Sequence, residues 1–415
     1  EERLIWAEGK LEAIYATSVL KGVTGLHPHK PNLNVPEKLQ GLPRHPVNSL
    51  TAAVYKDGKW TQTHVLPDGD ADWLVGGFDN TTTQYGQAAF EGMVGADETP
   101  EEPESSETPE SPEAPDVELE FEAEVIDGKV TIFRPEENAR RFIRSCLSIG
   151  IPPISVNQFI RAVLAAVENN REFIPKNGKL YIRPYVRGLK GGTGVKPAKN
   201  YQFAVEVSPF GSYLAEGAED PEILPGIAVK EVNFNRADSS RGKISGSYSP
   251  TFKPKIDALA KTTLTGTSFK DIILVGNDDE YQECASSNIF FVRKVAEGHF
   301  EVSTPSLMKN ILPGITRNSL LKLLNDSDIA ERLGVKLTAV DDQPLSSVEA
   351  LRSTGAFSTG TAAGITNINY ISTRSGAEIE YSDRDTQKFI KKLSDLLNDA
   401  RRGKVPGYES WVMEV

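Results

Sequence analysis

Two hydrophobic periods alternate along the chain. Short runs of β-branched and aromatic residues bounded by turn formers predict strands. They are "VTIFRP" (130–135), "KLYIRPYVRG" (179–188), "YQFAVEVSPF" (201–210), "GIAVKEVNFNR" (226–236), "DIILVGND" (271–278) and "SNIFFVRK" (287–294). Between them lie stretches that predict helices. "PEENARRFIRSCLSIG" (135–150) has Pro135 at its start and Gly150 past its end, the usual punctuation of a helix. "SVNQFIRAVLAAVENN" (155–170), "PKIDALAKTTLTG" (254–266), "TRNSLLKLLND" (316–326) and "DTQKFIKKLSDLLNDARRG" (385–403) complete the set. This interleaving predicts an α+β protein. The Gly-, Pro- and Ser-rich "SPFGSYLAEGAEDPEILPG" (208–226) reads as a junction. The expected division is a small N-terminal α/β domain (1–207), a linker (208–218) and a larger C-terminal domain (219–415).

Composition changes this picture at one place. The 415 residues carry a net charge of −12, but residues 97–124 alone hold 13 acidic residues and no basic one. The remainder is close to neutral, so the overall charge gives no reason to expect a nucleic-acid or other charged partner. The segment is rich in Glu, Pro, Ser and Thr, too poor in apolar surface to offset the entropy of ordering. Residues from about 95 to 124 are therefore expected to be a disordered insertion. Two scattered cysteines, Cys146 and Cys284, and five histidines form no ligand cluster, so no metal is expected. The low cysteine count suits a reducing compartment. No apolar run is long enough to span a bilayer, and the chain as given starts at Glu1 with no leader-like stretch. A cytoplasmic protein is expected, or a mitochondrial one if a leader has been removed.

The chemistry centres on "SSRGKISGSYSP" (239–250). Lys243 sits among Gly242, Ser245, Gly246 and Ser247, which leave room for a planar group near the backbone. A lysine that attacks a carbonyl must first lose its proton, which burial or a neighbouring cation such as Arg241 favours. Glu283, in "YQECASSNIFFV" (281–292), puts a carboxylate just before an apolar strand. "ILPGITRNSLL" (311–321) and "FSTGTAAGITNI" (357–368) each place a Gly and a Thr at a turn, the kind that offers N–H groups and a hydroxyl to an anion. One lysine, one acid and two anion-binding turns suit a phosphorylated cofactor that carries a carbonyl.

With "YGQAAFEGM" (85–93), "FRPEENARRFIRS" (133–145) and "YIRP" (181–184), these motifs run in the order of a known family. The chain resembles the branched-chain amino acid aminotransferases, class IV (fold type IV) pyridoxal phosphate enzymes. The resemblance implies two mixed α/β domains with pyridoxal 5'-phosphate between them. It also implies ping-pong transfer of an amino group between Leu, Ile or Val and 2-oxoglutarate, and a homodimer. By the same resemblance Lys243 bonds the cofactor covalently and then serves as general base, and Glu283 pairs with the pyridine nitrogen. Tyr248 would bond the phenolic oxygen. Arg141, Gly314, Ile315, Thr316 and Thr361 would hold the phosphate. Tyr85, Phe90, Tyr181, Arg183, Thr361 and Ala362 would line the substrate side. Ser247 departs from the asparagine often found there, and the redox CxxC of some members is absent. Other enzymes of the same fold share the lysine and the acid, namely D-amino acid aminotransferases, amine transaminases and aminodeoxychorismate lyases. "YIRP" and "YGQAAFEGM" favour the branched-chain type. An inactive relative acting as a binding protein is the alternative of a different class.

Overall fold

The computed structural model describes residues 3–7, 10–14, 50–56, 59–65, 116–176, 178–189, 197–210, 220–341 and 343–415. Residues 95–115, Tyr85, Phe90 and positions 211–218 of the expected linker lie outside this set. Two compact units emerge, one of 1–130, 150–211 and 415, the other of 131–149 and 212–414. Residues 131–149, which a linear division gives to the N-terminal domain, thus cluster with the second unit. None of the helices described is long and apolar enough to cross a membrane.

In the first unit β1 (Arg3–Ala7) and β2 (Lys10–Ile14) form a separate antiparallel pair. The main sheet contains β3 (Leu50–Lys56) paired with β4 (Lys59–Val65) and with β9 (Asn200–Phe210). Next come β8 (Lys179–Leu189) against β9 over eleven residue pairs, and β5 (Val117–Glu118) and β6 (Phe121–Ile126) against β8. The tail of the acidic stretch is therefore strand, contrary to the disordered insertion expected through residue 124. The reason is its alternation. Val117, Leu119, Phe121 and Ala123 are buried, and the glutamates between them point to the other face. The break between β5 and β6 faces Pro184, whose carbonyl accepts from the Leu119 N–H and whose ring nitrogen has no hydrogen to give back. Helix α2 (Val156–Glu168), opened by a capping box of Ser155 and Gln158, packs on this sheet, with Phe159 against Phe121 and Phe203.

Strand β7 (Lys129–Phe133) leads into helix α1 (Pro135–Ser148) of the second unit. The strand stops at Phe133 because Arg134 turns left-handed (φ 47°) and Pro135 begins the helix. The other strands of this unit are β10 (Gly226–Asn233), β11 (Phe269–Val275), β12 (Tyr281–Cys284), β13 (Asn288–Ala296), β14 (His299–Ser303), β15 (Lys336–Val340), β16 (Gly355–Gly360), β17 (Gly364–Ser372), β18 (Glu378–Glu380) and β19 (Val412–Glu414). They make a mixed sheet in the order β12-β11-β10-β17-β16-β13-β14-β15, with β18 beside β17, while β19 pairs with β7. The helices are α3 (Ser249–Leu259), α4 (Ile315–Leu324), α5 (Ser327–Leu333), α6 (Ser347–Arg352) and α7 (Arg384–Arg401). Helix α3 starts five residues before the predicted Pro254 and encloses that proline. The apolar face of α7 (Phe389, Ile390, Leu393, Leu397) shares a core with Phe290, Phe300 and Phe357. Arg134 explains why α1 belongs to this unit. Its guanidinium donates to Asn318 and Ser319 of α4 and lies over Trp411.

Candidate active site

Lys243 follows a short 3-10 turn (Asp238–Arg241) and precedes another (Ser245–Ser247) that ends at Tyr248, the residue capping α3. The lysine is 9% exposed. Its backbone N–H donates to Ser145 Oγ, and the Ser145 hydroxyl donates to the Arg141 carbonyl. One serine thus joins the lysine segment to the helix that carries Arg141. Arg141 is itself buried and donates to Asn138. The Lys243 ammonium lies 4.2 Å from the centre of the Tyr248 ring. Burial pushes the Tyr248 hydroxyl up, and the Lys243 charge pulls it back.

The small residues around the lysine divide in role. A side chain at Gly246 would meet nothing within 4 Å, so there is space beside the turn. A Cβ at Gly242 would lie 2.9 Å from Ser148 Oγ and 3.0 Å from Ile244, so that glycine serves packing against α1. Ser247, the departure from the family pattern, places its hydroxyl 3.3 Å from that of Ser239. Arg241, expected to assist the lysine, is exposed and donates to Asn310 instead.

Glu283 lies on β12 and is 3% exposed. Its Oε2 accepts from Asn288 Nδ2 at 3.1 Å and from the Leu312 N–H at 3.3 Å. Its Oε1 lies 3.1 Å from Arg236 Nε. Burial pushes the carboxyl up to about 7. Arg236, the Leu312 N–H, Lys243 and Arg317 all oppose that rise. Gly314 matters here for space, since a Cβ would fall 2.3 Å from Asn288 Oδ1 and displace the amide that supports Glu283.

Gly314 also caps α4, with no side-chain cap, and Ile315 and Thr316 form its first turn. Uncapped first-turn N–H groups and the helix dipole suit an anion. The Thr316 hydroxyl donates to the Gly360 carbonyl at 3.3 Å, which brings the two Gly-Thr turns together. Arg401, from the last turn of α7, reaches the same place. It donates to the carbonyls of Gly360 (3.2 Å) and Thr361 (3.0 Å) and lies 3.4 Å from Thr316 Oγ1. In a trans peptide the N–H points opposite to the C=O. The N–H groups of Thr361 and Ala362 therefore face away from Arg401.

Lys243, Tyr248, Arg141, Glu283, Gly314, Ile315, Thr316, Thr361 and Ala362 all belong to the second unit. Tyr181 and Arg183 stand on β8 in the first, where Tyr181 packs edge-on against Phe210 and Arg183 is bound by Glu118. Tyr85 and Phe90 lie outside the described residues. Sequence reasoning misses Arg236, Asn288, Ser145 and Arg401. Arg236 and Arg401 act on partners far away in sequence, and the motifs that contain Ser145 and Asn288 do not show that these bond the Lys243 N–H and the Leu312 carbonyl.

The family model for amino-transferase class IV matches residues 121–371. This chain belongs to that family. Among class IV relatives, a probable branched-chain-amino-acid aminotransferase of Streptomyces coelicolor is 32% identical over 289 residues, covering 69% of this chain and 76% of the relative. The Bacillus subtilis branched-chain-amino-acid transaminase 1 is 30% identical, covering 70% and 78%. Solved structures share the fold at lower identity. The branched-chain aminotransferase of Thermoproteus uzoniensis with norvaline gives a TM-score of 0.57 at 22% identity, over 88% of this chain and 99% of that one. The branched-chain amino acid aminotransferase of Thermobaculum terrenum in its PLP form gives 0.56 at 23%, over 72% and 88%. The architecture is that of the fold type IV aminotransferases.

Proposed function

We propose that this class IV amino-transferase uses pyridoxal 5'-phosphate to move an amino group between a branched-chain L-amino acid and 2-oxoglutarate. The observation that carries this reading is Lys243, buried against Tyr248, in one cluster with a buried acid and two joined anion-binding turns. These residues fit the cofactor. Ser245 Oγ and Thr359 Oγ1 are buried without a partner among the described residues, and Gly246 borders open space. The donors at the start of α4, with Arg141, suit a phosphate. Glu283 suits a protonated ring nitrogen, and a pyridinium beside it would hold it ionised. When bound, the cofactor supplies a carbonyl for the substrate amine and a ring that accepts electrons.

The protein's own residues supply the rest. Lys243 provides the amine that holds the cofactor and, once displaced by substrate, the base that carries a proton from the substrate α-carbon. Tyr248 keeps the lysine close through its ring face. The N–H groups of Thr361 and Ala362 bind the substrate carboxylate, and Tyr181 and Arg183 belong to the substrate side. An apolar pocket separates Leu, Ile and Val weakly, because one methylene is worth only about 1–3 kcal/mol. The reading extends to a homodimer working in the cytoplasm.

The test is the near-visible absorption of the cofactor-loaded protein with and without L-leucine, beside Lys243→Ala. A band that bleaches with leucine in the wild type and fails to respond in the variant is the expected result. A wild-type protein that takes up no pyridoxal phosphate would overturn the reading.

A further inference from the structure

Arg236 lies three residues beyond the end of β10 and is 5% exposed. Its guanidinium reaches three ways. Nη1 donates to the Ser247 carbonyl and Nη2 to the Ala285 carbonyl, each at 3.0 Å, while Nε lies 3.1 Å from Glu283 Oε1. The same group sits 5.7 Å from the centre of the Tyr248 ring. Its backbone N–H donates to Gln282, and its carbonyl accepts from Asn310. Ser247 precedes Tyr248, and Ala285 follows Glu283 by two residues. One side chain therefore clasps the lysine turn and the acid strand together.

We infer that Arg236 is a positioning residue that favours the ionised form of Glu283 and fixes its strand against the Lys243–Tyr248 turn. The inference rests on the pyridoxal phosphate reading of the site. A fully buried carboxyl prefers to be neutral, and a neutral carboxylic acid cannot stabilise a protonated ring nitrogen as an anion does. Three cations face Glu283, namely Arg236, Lys243 and Arg317, with the Tyr248 hydroxyl as a further titratable neighbour. Lys243 must give up its proton to do chemistry. Arg317 donates to the Pro305 carbonyl and lies 3.6 Å from Asp341, which shares its charge. Arg236 is the cation in contact with Glu283 whose charge persists throughout, because a guanidinium does not titrate in the working range. Its two Nη atoms bond two separate carbonyls while the same charge stands beside Glu283, a combination that the compact ammonium of a lysine would not reproduce.

The experiment follows Arg236→Gln, Arg236→Lys, Glu283→Gln and the double variant Arg236→Gln/Glu283→Gln, as cofactor-free protein and with pyridoxal phosphate. Without cofactor, stability is measured against pH, and the difference from Glu283→Gln isolates the carboxyl. In Arg236→Gln the pH at which this difference levels off should rise by about one unit or more. Arg236→Lys should restore most of that shift. Cofactor titration by fluorescence should show binding weakened about tenfold or more in Arg236→Gln, with part of the loss recovered in Arg236→Lys. If Arg236→Gln does not fold, the double variant removes both charges at once. It should then be the more stable of the two, and Arg236→Lys carries the titration. A variant that loses stability equally at every pH, with an unmoved levelling point, would make Arg236 a purely structural tie. Failure of the wild type to bind pyridoxal phosphate would sink the cofactor reading instead. The cofactor-free titration would still report whether Arg236 controls Glu283.

Discussion

Two of the molecule's glutamate–arginine pairs are built from the same atoms and used differently. Glu283 and Arg236 have side chains 4% and 2% exposed, and Glu118 and Arg183 15% and 42%. In the first pair each partner is removed from water and depends on the other. In the second, on the sheet face of the first unit, solvent reaches the guanidinium and competes with the carboxylate. Burial turns an ion pair from a surface decoration into a device whose protonation can be set near neutrality. The pair whose acid is pushed up to about 7 by burial is the one that shares its surroundings with Lys243.

The largest expected effect comes from breaking the buried pair on one side. Glu283→Ala leaves Arg236 an unpaired buried cation and should cost about 3–5 kcal/mol in urea unfolding. A loss no greater than that of an exposed pair would mean that water reaches the site.

The next effect is the pH dependence of the same group. The folded pKa of Glu283 lies above its ordinary value of 4.5, so between about pH 4.5 and 7 the folded state binds more protons than the unfolded state. Stability of the cofactor-free protein should therefore fall as pH rises through that window. The difference from Glu283→Gln should span about 3 kcal/mol. A flat difference curve would remove burial as the cause.

Two further experiments probe how each region is held. Deleting 97–115 should leave stability and activity unchanged, but deleting 97–118 also removes buried Val117 and the Glu118 partner of Arg183. The longer deletion should cost about 2 kcal/mol more in thermal or urea unfolding. In the second unit, Arg401→Ala withdraws donors from two carbonyls. It should cost about 1–2 kcal/mol and weaken phosphate binding in a titration with inorganic phosphate. The smallest effect closes the comparison. Glu118→Gln should change stability by less than about 1 kcal/mol, and by less still in high salt.

Much of the site is legible in the sequence because its chemistry is packed into short stretches. Lys243, Tyr248 and Glu283 each sit in a local motif, and so do the two Gly-Thr turns. Helix α1 is legible for the same kind of reason, with Pro135 at its first position and Gly150 (φ 75°) past its end. The supporting residues are not. Arg236 acts on Ala285, 49 residues away, and Arg401 on Thr316, 85 residues away. Only the folded chain brings such pairs together. The acidic stretch shows a different failure. "VELEFEAE" alternates with the period of a strand, but its charge hides its apolar half, so four buried side chains pass for solvated loop.

Arg401 also bears on how the site comes into being. Synthesis delivers Lys243 and Glu283 long before the last turn of α7. A chain emerging from the ribosome holds its reactive groups while the two anion-binding turns are still unclasped. A product truncated before residue 401 would keep the nucleophile and the start of α4 but lose the donors that hold the Gly360 and Thr361 carbonyls. The clasp on the second turn therefore comes later in synthesis than the nucleophile it serves.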